Sequence, residues 1–333
     1  MADSFKIFGA EESPYSVKVR SYFRYKGIPH QWTPRSMGVM AEYQKYARLP
    51  IIPVVVTPED EALQDSTPIL EALETRFPEP ATHPPSVALR FLSELLEEFG
   101  DEWGNKWMFH FRWAREVDQL SAAERLVATM LPEADEEQRK ATETQIRERM
   151  VPRIGVVGSN ETTAPIIESS FAAGLGRFEA HLSDRPYLFG GRPAFADFGL
   201  WGQIYNAWTD PTAGAMIRSD APATCAWIER MLDPSDEGDF EALETLAPTL
   251  EPILREDVRL FLTWSDANAA AIAAGADSLE VDLDGHRWTQ TVGGPQKYHA
   301  KSLGVIRRKF AEVSGDEELR TLLDRTGCLT FLA

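Results

Sequence analysis

The sequence predicts an α/β domain of βαβαββα order, followed by an all-helical domain that closes with a β-hairpin and one more helix. Three observations carry that prediction. Short β-branched and aromatic runs alternate with helix-period segments between residues 5 and 77. A stretch with four prolines in eight residues, Pro78 to Pro85, then breaks the pattern. Beyond it apolar residues recur at helical spacing until two alternating runs meet around Asp284-Gly285.

The elements follow in order. Phe5 to Ala10, with Ile7 and Phe8 central, reads as the first strand. Glu11-Glu12-Ser13-Pro14 has the form of a helix start, with Ser13 as cap and Pro14 at the first helical position. Val17, Ser21, Tyr22 and Tyr25 recur at helical spacing as packing residues, and Gly27 supplies the stop. Ile28 to Trp32 reads as a second strand and Met37 to Arg48 as a second helix. Ile51 to Val56 is a β-branched run whose Pro53 suits a strand entrance or a cis turn, not a strand centre. Asp65-Ser66 caps a third helix, with Ile69, Leu70 and Leu73 on one face and a stop before Pro78.

This gives a first domain over residues 1–80 and a helical domain over 86–239, with patterns such as Val87, Phe91, Leu95 and Phe99. Residues 240–333 form an extension of helices and a hairpin. A two-residue Asp284-Gly285 loop would pair Val281 with Trp288 and Asp282 with Arg287. Leu303, Ile306, Phe310 and Val313 mark a further helix, whose Arg307-Arg308-Lys309 run reads as a solvated face.

Composition narrows the function. The chain has 333 residues, with 34 Lys and Arg against 52 Asp and Glu, for a formal charge of −18. Such a balance argues against nucleic acid and against anionic membrane surfaces as partners. Two cysteines exclude a disulfide framework and a Cys-rich zinc site, and point to a reducing compartment. Cys225 and Cys328 read as inert. The longest apolar run, residues 50–56, falls far short of the ~20 residues of a spanning helix. No signal-peptide pattern opens the sequence, so a cytoplasmic protein is expected. The six histidines are scattered without ligand spacing, and no metal is expected.

The chemistry centres on Ser13-Pro14-Tyr15-Ser16, between the first strand and the first helix. Thioredoxin-like redox proteins carry Cys-x-x-Cys at this place, where a helix N-terminus stabilises a thiolate. Serine at both positions rules out disulfide exchange. A serine hydroxyl can still donate a hydrogen bond to the thiolate of a bound ligand.

Ser13 to Arg20, Lys26-Gly27-Ile28, Ile52-Pro53-Val54, Asp65 to Leu70, Arg76-Phe77-Pro78 and Gly190 to Asp197 together resemble the glutathione transferase superfamily. The first motif stands in an omega-like register, with Ser13 where that class has its cysteine. The resemblance implies a thioredoxin-like domain, an all-α domain and glutathione as co-substrate. It implies that Ser13 hydrogen-bonds the glutathione sulfur, with Ser16 and then Tyr15 as rival hydroxyls. Pro53 would be cis and turn the backbone of Ile52 toward the ligand. Ser66 would take the γ-glutamyl carboxylate and Asp65 the ammonium, with Gln64 as a further contact. Lys45 and Arg48 are the candidates for the glycyl carboxylate, where the match is poorest. Ala194 departs from the usual Ser or Thr cap, and Asp197 is a folding residue. A hydrophobic electrophile would sit against Trp103, Trp107, His110 and Phe111, with Tyr15 and Ser16 nearby. The implied activity is thiolate transfer in detoxification by a homodimer. The alternative is a non-catalytic binding or assembly module, with the extension as its interaction surface.

Overall fold

The computed structural model describes residues 4–333. Strand β1 (Phe5–Gly9) leads into helix α1 (Pro14–Tyr25), and β2 (His30–Pro34) follows. Gly27 adopts φ 60° and lets the Ile28 amide bond back to Phe23 O. That closure belongs to the helix end, so β2 begins two residues later than the apolar pattern implies. The expected second helix is a 3₁₀ turn (Met37–Val39) and then α2 (Met40–Tyr46). Strands β3 (Val54–Val56) and β4 (Ala62–Gln64) and helix α3 (Ser66–Arg76) complete the unit. The strand order is β2-β1-β3-β4, with only the β1–β2 pair parallel. The Ile52–Pro53 and Glu79–Pro80 bonds are cis.

The helical part opens with α4 (Val87–Phe99), which runs through a π turn (Gly100–Gly104) into α5 (Asn105–Ala114). Helices α6 (Glu116–Met130), α7 (Glu136–Met150), α8 (Ala164–Leu182), α9 (Phe195–Trp208), α10 (Pro211–Asp220) and α11 (Pro222–Arg230) follow. α9 is buried along almost its whole length. Two glycines set its approach to α4: a Cβ on Gly100 would stand 2.5 Å from Leu200 N, and one on Gly199 would stand 2.8 Å from Glu97 Cγ. On its other side, Gly202 lets α9 meet the first turn of α1 at Pro14 O. Asp197 holds the start of α9. Its carboxylate accepts from Ala194 N, Leu188 N and Trp227 Nε1, each at 2.9 Å. The acceptor that Ala194 lacks comes from α4, where Ser93 Oγ accepts from Ala196 N at 3.1 Å.

The extension comprises α12 (Leu243–Ile253), a second π turn (Leu254–Val258), α13 (Arg259–Ala273), strands β5 (Ser278–Leu283) and β6 (His286–Thr291), α14 (Gly294–Val313), α15 (Glu317–Arg325) and α16 (Leu329–Leu332). The hairpin has the expected register, Val281 opposite Trp288 and Asp282 opposite Arg287. Asp284 and Gly285 both take positive φ, the geometry a tight two-residue loop demands. The ion pair on its outer face joins Arg287 to Glu280 at 2.5 Å.

The extension is packed into the protein, not appended to it. Trp288 and Trp264 close on Trp103 with ring centroids 5.6 and 6.3 Å away. Inside this aromatic nest lies Lys106, 1% exposed, with Nζ 3.4 Å from the Trp264 ring centroid and 5.7 Å from each of the other two. Burial drives its pKa well below the ordinary lysine value, whereas the indole faces favour the cation. The basic run of α14 is not a solvated face. Arg307 pairs with Asp266 at 2.7 Å, Lys309 pairs with Glu71 at 2.7 Å, and Arg308 is the exposed member. Among the described residues no helix is long and apolar enough to cross a membrane.

Candidate glutathione site

Register gathers the expected residues at one end of the sheet. β1 pairs with β3 so that Phe8 faces Val54, and β3 with β4 so that Val54 faces Gln64. The chain therefore leaves β1 toward Ser13 where it enters β3 from Ile52 and Pro53. It also leaves β4 there toward Asp65 and Ser66. The N-termini of α1 and α3 both open at this end, and their free N–H groups favour negative charge.

Ser13 caps α1 and is half-buried. Its Oγ accepts a bond from Ser16 N at 3.3 Å, which leaves the hydroxyl proton for a further acceptor. Ser16 differs: it is fully buried, and its Oγ has no partner among the described residues. Tyr15 donates to Asp101 O at 3.1 Å, and burial, with the Asp101 charge, raises its phenol pKa. A phenol held in that state is a donor, not a base.

At α3, Asp65 occupies the cap position with φ 83°, a left-handed backbone uncommon for a non-glycine residue. Its side chain makes no cap bond, contrary to the expected role, and lies at the surface. Ser66 is buried in the first turn. Gln64 is committed to the main chain, where its amide donates to Leu49 O at 2.8 Å and Ile51 O at 2.9 Å and accepts from Leu49 N. It shapes the approach to Pro53. Lys45 and Arg48 are exposed.

The sequence reading overlooked two features. Arg35 stands beside the same approach, with Nη1 3.4 Å from Pro50 O and its guanidinium over the Tyr43 ring. Behind the start of α3 lies a buried ionic cluster. Lys18 Nζ donates to Glu97, to Asp101 Oδ2 at 2.6 Å, to Thr67 Oγ1 at 3.1 Å and to Ser66 Oγ at 3.5 Å. Burial opposes the lysine charge, but Asp101 and Glu97 outweigh it and raise the pKa. Burial pushes Glu98 up to about 8, with the Glu97 charge adding to it. Burial also pushes Asp101 up to about 7, against the opposing Lys18 charge. A sequence signal existed, because Lys18 shares a helical stripe with Tyr22 and Tyr25, both buried.

The expected electrophile wall is a correction. Trp103, Trp107, His110 and Phe111 are each at most 2% exposed and belong to the helical core. Trp107 Nε1 donates to Ser170 at 2.8 Å, Phe111 packs on Phe171, and His110 bridges Ser159 and Glu168. The helical groups that do face the loop before Ser13 are polar. Arg112 donates to Glu12 O at 2.8 Å, Thr129 to the Glu12 carboxylate at 3.2 Å and Tyr205 to Glu11 at 2.8 Å. Arg112 is itself fixed by Asp210 at 2.9 Å.

Comparison with known families agrees with this architecture. Residues 7–81 match the glutathione S-transferase N-terminal domain, and residues 118–230 match the glutathione S-transferase C-terminal domain. Together they span more than half of the chain, which therefore belongs to the glutathione transferase superfamily. No curated protein matches the sequence. Similar solved structures include a tau-class glutathione S-transferase from mango, Mangifera indica, at 17% identity and TM-score 0.43, covering 76% of this chain and 100% of that one. The β-etherase LigF from Sphingobium sp. strain SYK-6 is 18% identical, with TM-score 0.45 over 68% of this chain and 94% of its own. A glutathione S-transferase from Methylobacterium radiotolerans, in complex with glutathione sulfonate, is 19% identical with TM-score 0.40 over 72% and 96%.

Proposed function

We propose that the chain binds glutathione at the α1/α3 end of the sheet and that Ser13 holds its sulfur as the thiolate, for transfer to a small electrophile. The observation that carries this reading is the contrast between the two serines. Ser13 keeps a half-exposed hydroxyl with a free proton at the helix start, whereas Ser16 points into the domain. A free thiol has a pKa of ~8.5, and lowering it by about two units takes ~2.7 kcal/mol. One hydroxyl bond to a charged sulfur contributes ~1.5–3 kcal/mol, and the helix terminus adds to it. Transfer then needs orientation and anion stabilisation at the sulfur. In this reading the main chain at Ile52 pairs with the cysteinyl unit as an added strand. Asp65 and Ser66 take the γ-glutamyl end. Arg35, from its place beside Pro50, joins Lys45 and Arg48 as a partner for the glycyl carboxylate.

The test is turnover of a generic aryl halide by the wild type and Ser13→Ala. We expect at least a tenfold loss, with melting lowered only by the few degrees a lost cap costs. Unchanged turnover would remove Ser13 from the mechanism. The non-catalytic reading is favoured by one observation, that the aromatic residues expected to receive the electrophile are core. Glutathione binding without turnover of any electrophile would select it.

A further inference from the structure

The charges around the start of α3 do not balance for an anionic ligand. Lys18 is a single buried ammonium among Glu97, Glu98 and Asp101, with Asp65 beyond. A γ-glutamyl head brings one carboxylate and one ammonium. For the ammonium, Asp65 stands at the cap of α3 and Asp101 lies behind its first turn. Asp101 is 7% exposed, its Oδ2 lies 3.4 Å from Thr67 Oγ1 in the first turn of α3, and its Oδ1 has no partner among the described residues. The carboxylate needs a cation that the cluster does not supply.

The extension brings one. Helix α14 runs antiparallel to α4, as successive contacts show. His299 meets Glu102, Ser302 donates to the Glu98 carboxylate, Lys309 reaches Glu94 at 3.4 Å, and the Phe310 ring packs on Phe91 at 5.5 Å. This pairing fixes the N-terminal half of α14 beside the end of α4 and the π turn that carries Asp101. Lys301, next to the anchored Ser302, is exposed, and no described residue pairs with it. Partial burial raises the Asp65 carboxyl pKa, and the charges of Lys18 and Lys301 both oppose that rise.

We propose that Lys301, supplied by the C-terminal extension, is the cation that receives the γ-glutamyl α-carboxylate of glutathione at the N-terminus of α3. The extension then completes the binding site from within the same chain. This inference rests on the glutathione reading above and adds a residue that the two matched domains do not contain.

The experiment is calorimetric titration of the full-length wild type, Lys301→Gln and Lys301→Arg with two peptides. One is glutathione. The other is γ-aminobutyryl-cysteinyl-glycine, the same tripeptide without that carboxylate. We expect Lys301→Gln to weaken glutathione about tenfold, the loss of one charge-assisted contact. The truncated peptide should bind both forms within about twofold, and Lys301→Arg should retain most of the glutathione affinity. Equal glutathione affinity in wild type and Lys301→Gln would overturn the proposal. So would an equal loss for both peptides, which would give Lys301 a structural role only. A wild type that binds neither peptide at millimolar concentration would refute the glutathione reading itself, an outcome distinct from the other two.

Discussion

Replacing Lys18 with methionine removes the amine that neutralises Glu97 and Asp101 and keeps about the same volume. Lys18 is fully buried, so no water can take its place at the two carboxylates without opening the α1–α4 seam. Breaking a buried ion cluster by deleting one partner costs about 3–5 kcal/mol. With a urea m-value of about 3 kcal/mol/M, the midpoint should fall by about 1–1.7 M at neutral pH. The pH dependence has a definite sign. Glu98 and Asp101 have folded pKa values of about 8 and about 7, above the ordinary carboxylate range. Between that range and those values the folded state binds more protons than the unfolded state. Stability therefore falls as pH rises through about 7 and 8. Lys18 lowers the Asp101 value, so its removal should steepen that fall and shrink the deficit in acid. Urea titrations followed by tryptophan emission at about pH 5.5, 7 and 8.5 would measure this. Lys18→Met with Glu97→Gln and Asp101→Asn should recover much of the loss. A deficit under about 1 kcal/mol at neutral pH, or one that does not vary with pH, would refute the reasoning.

Two further perturbations have calculable outcomes. Asp197→Ala strips three buried donors of their acceptor, at about 1–3 kcal/mol each, so the melting temperature should collapse or the protein should fail to express in soluble form. A variant with near-wild-type melting would show that Asp197 does not organise the start of α9. Trp288→Ala should cost about 3–5 kcal/mol by emptying the nest over Trp103 and Lys106. Hydrogen exchange should then rise in β5 and β6 well before it rises in β1 and β3; uniform loss of protection would mean that the hairpin is no separate unit.

What the sequence reveals, and what it hides, divides along one physical line. The hairpin register is legible because a two-residue loop leaves a single way to align Val281 and Trp288. The Asp197 motif is legible because two of its three partners are main-chain groups within ten residues of it. Gathering Ser13, Ile52 and Ser66 at one sheet end follows from strand order alone. By contrast, periodicity reveals that Trp103, Trp107 and Phe111 share a helical pattern but not whether that pattern faces a cleft or a core. The answer lies with distant partners: Trp264 and Trp288 for Trp103, and Phe171 for Trp107 and Phe111. Lys18 and Lys309 were hidden for the same reason. A charge is assigned to solvent until its partner is known, and Glu97 and Glu71 are distant in sequence.

The seating of α14 on α3 and α4 also shapes how the protein is made. The contact of Lys309 with Glu71 spans 238 positions. At ~5–20 residues per second, a ribosome needs about 10–50 s to travel between them. During that interval α4 exists without its cover, and the face around Phe91 meets solvent or a chaperone. The chain thus cannot finish the seam between its first domain and its helices as each emerges, although either could begin to collapse. Pieces that end before residue 294 would keep that face bare permanently, a standing invitation to aggregate.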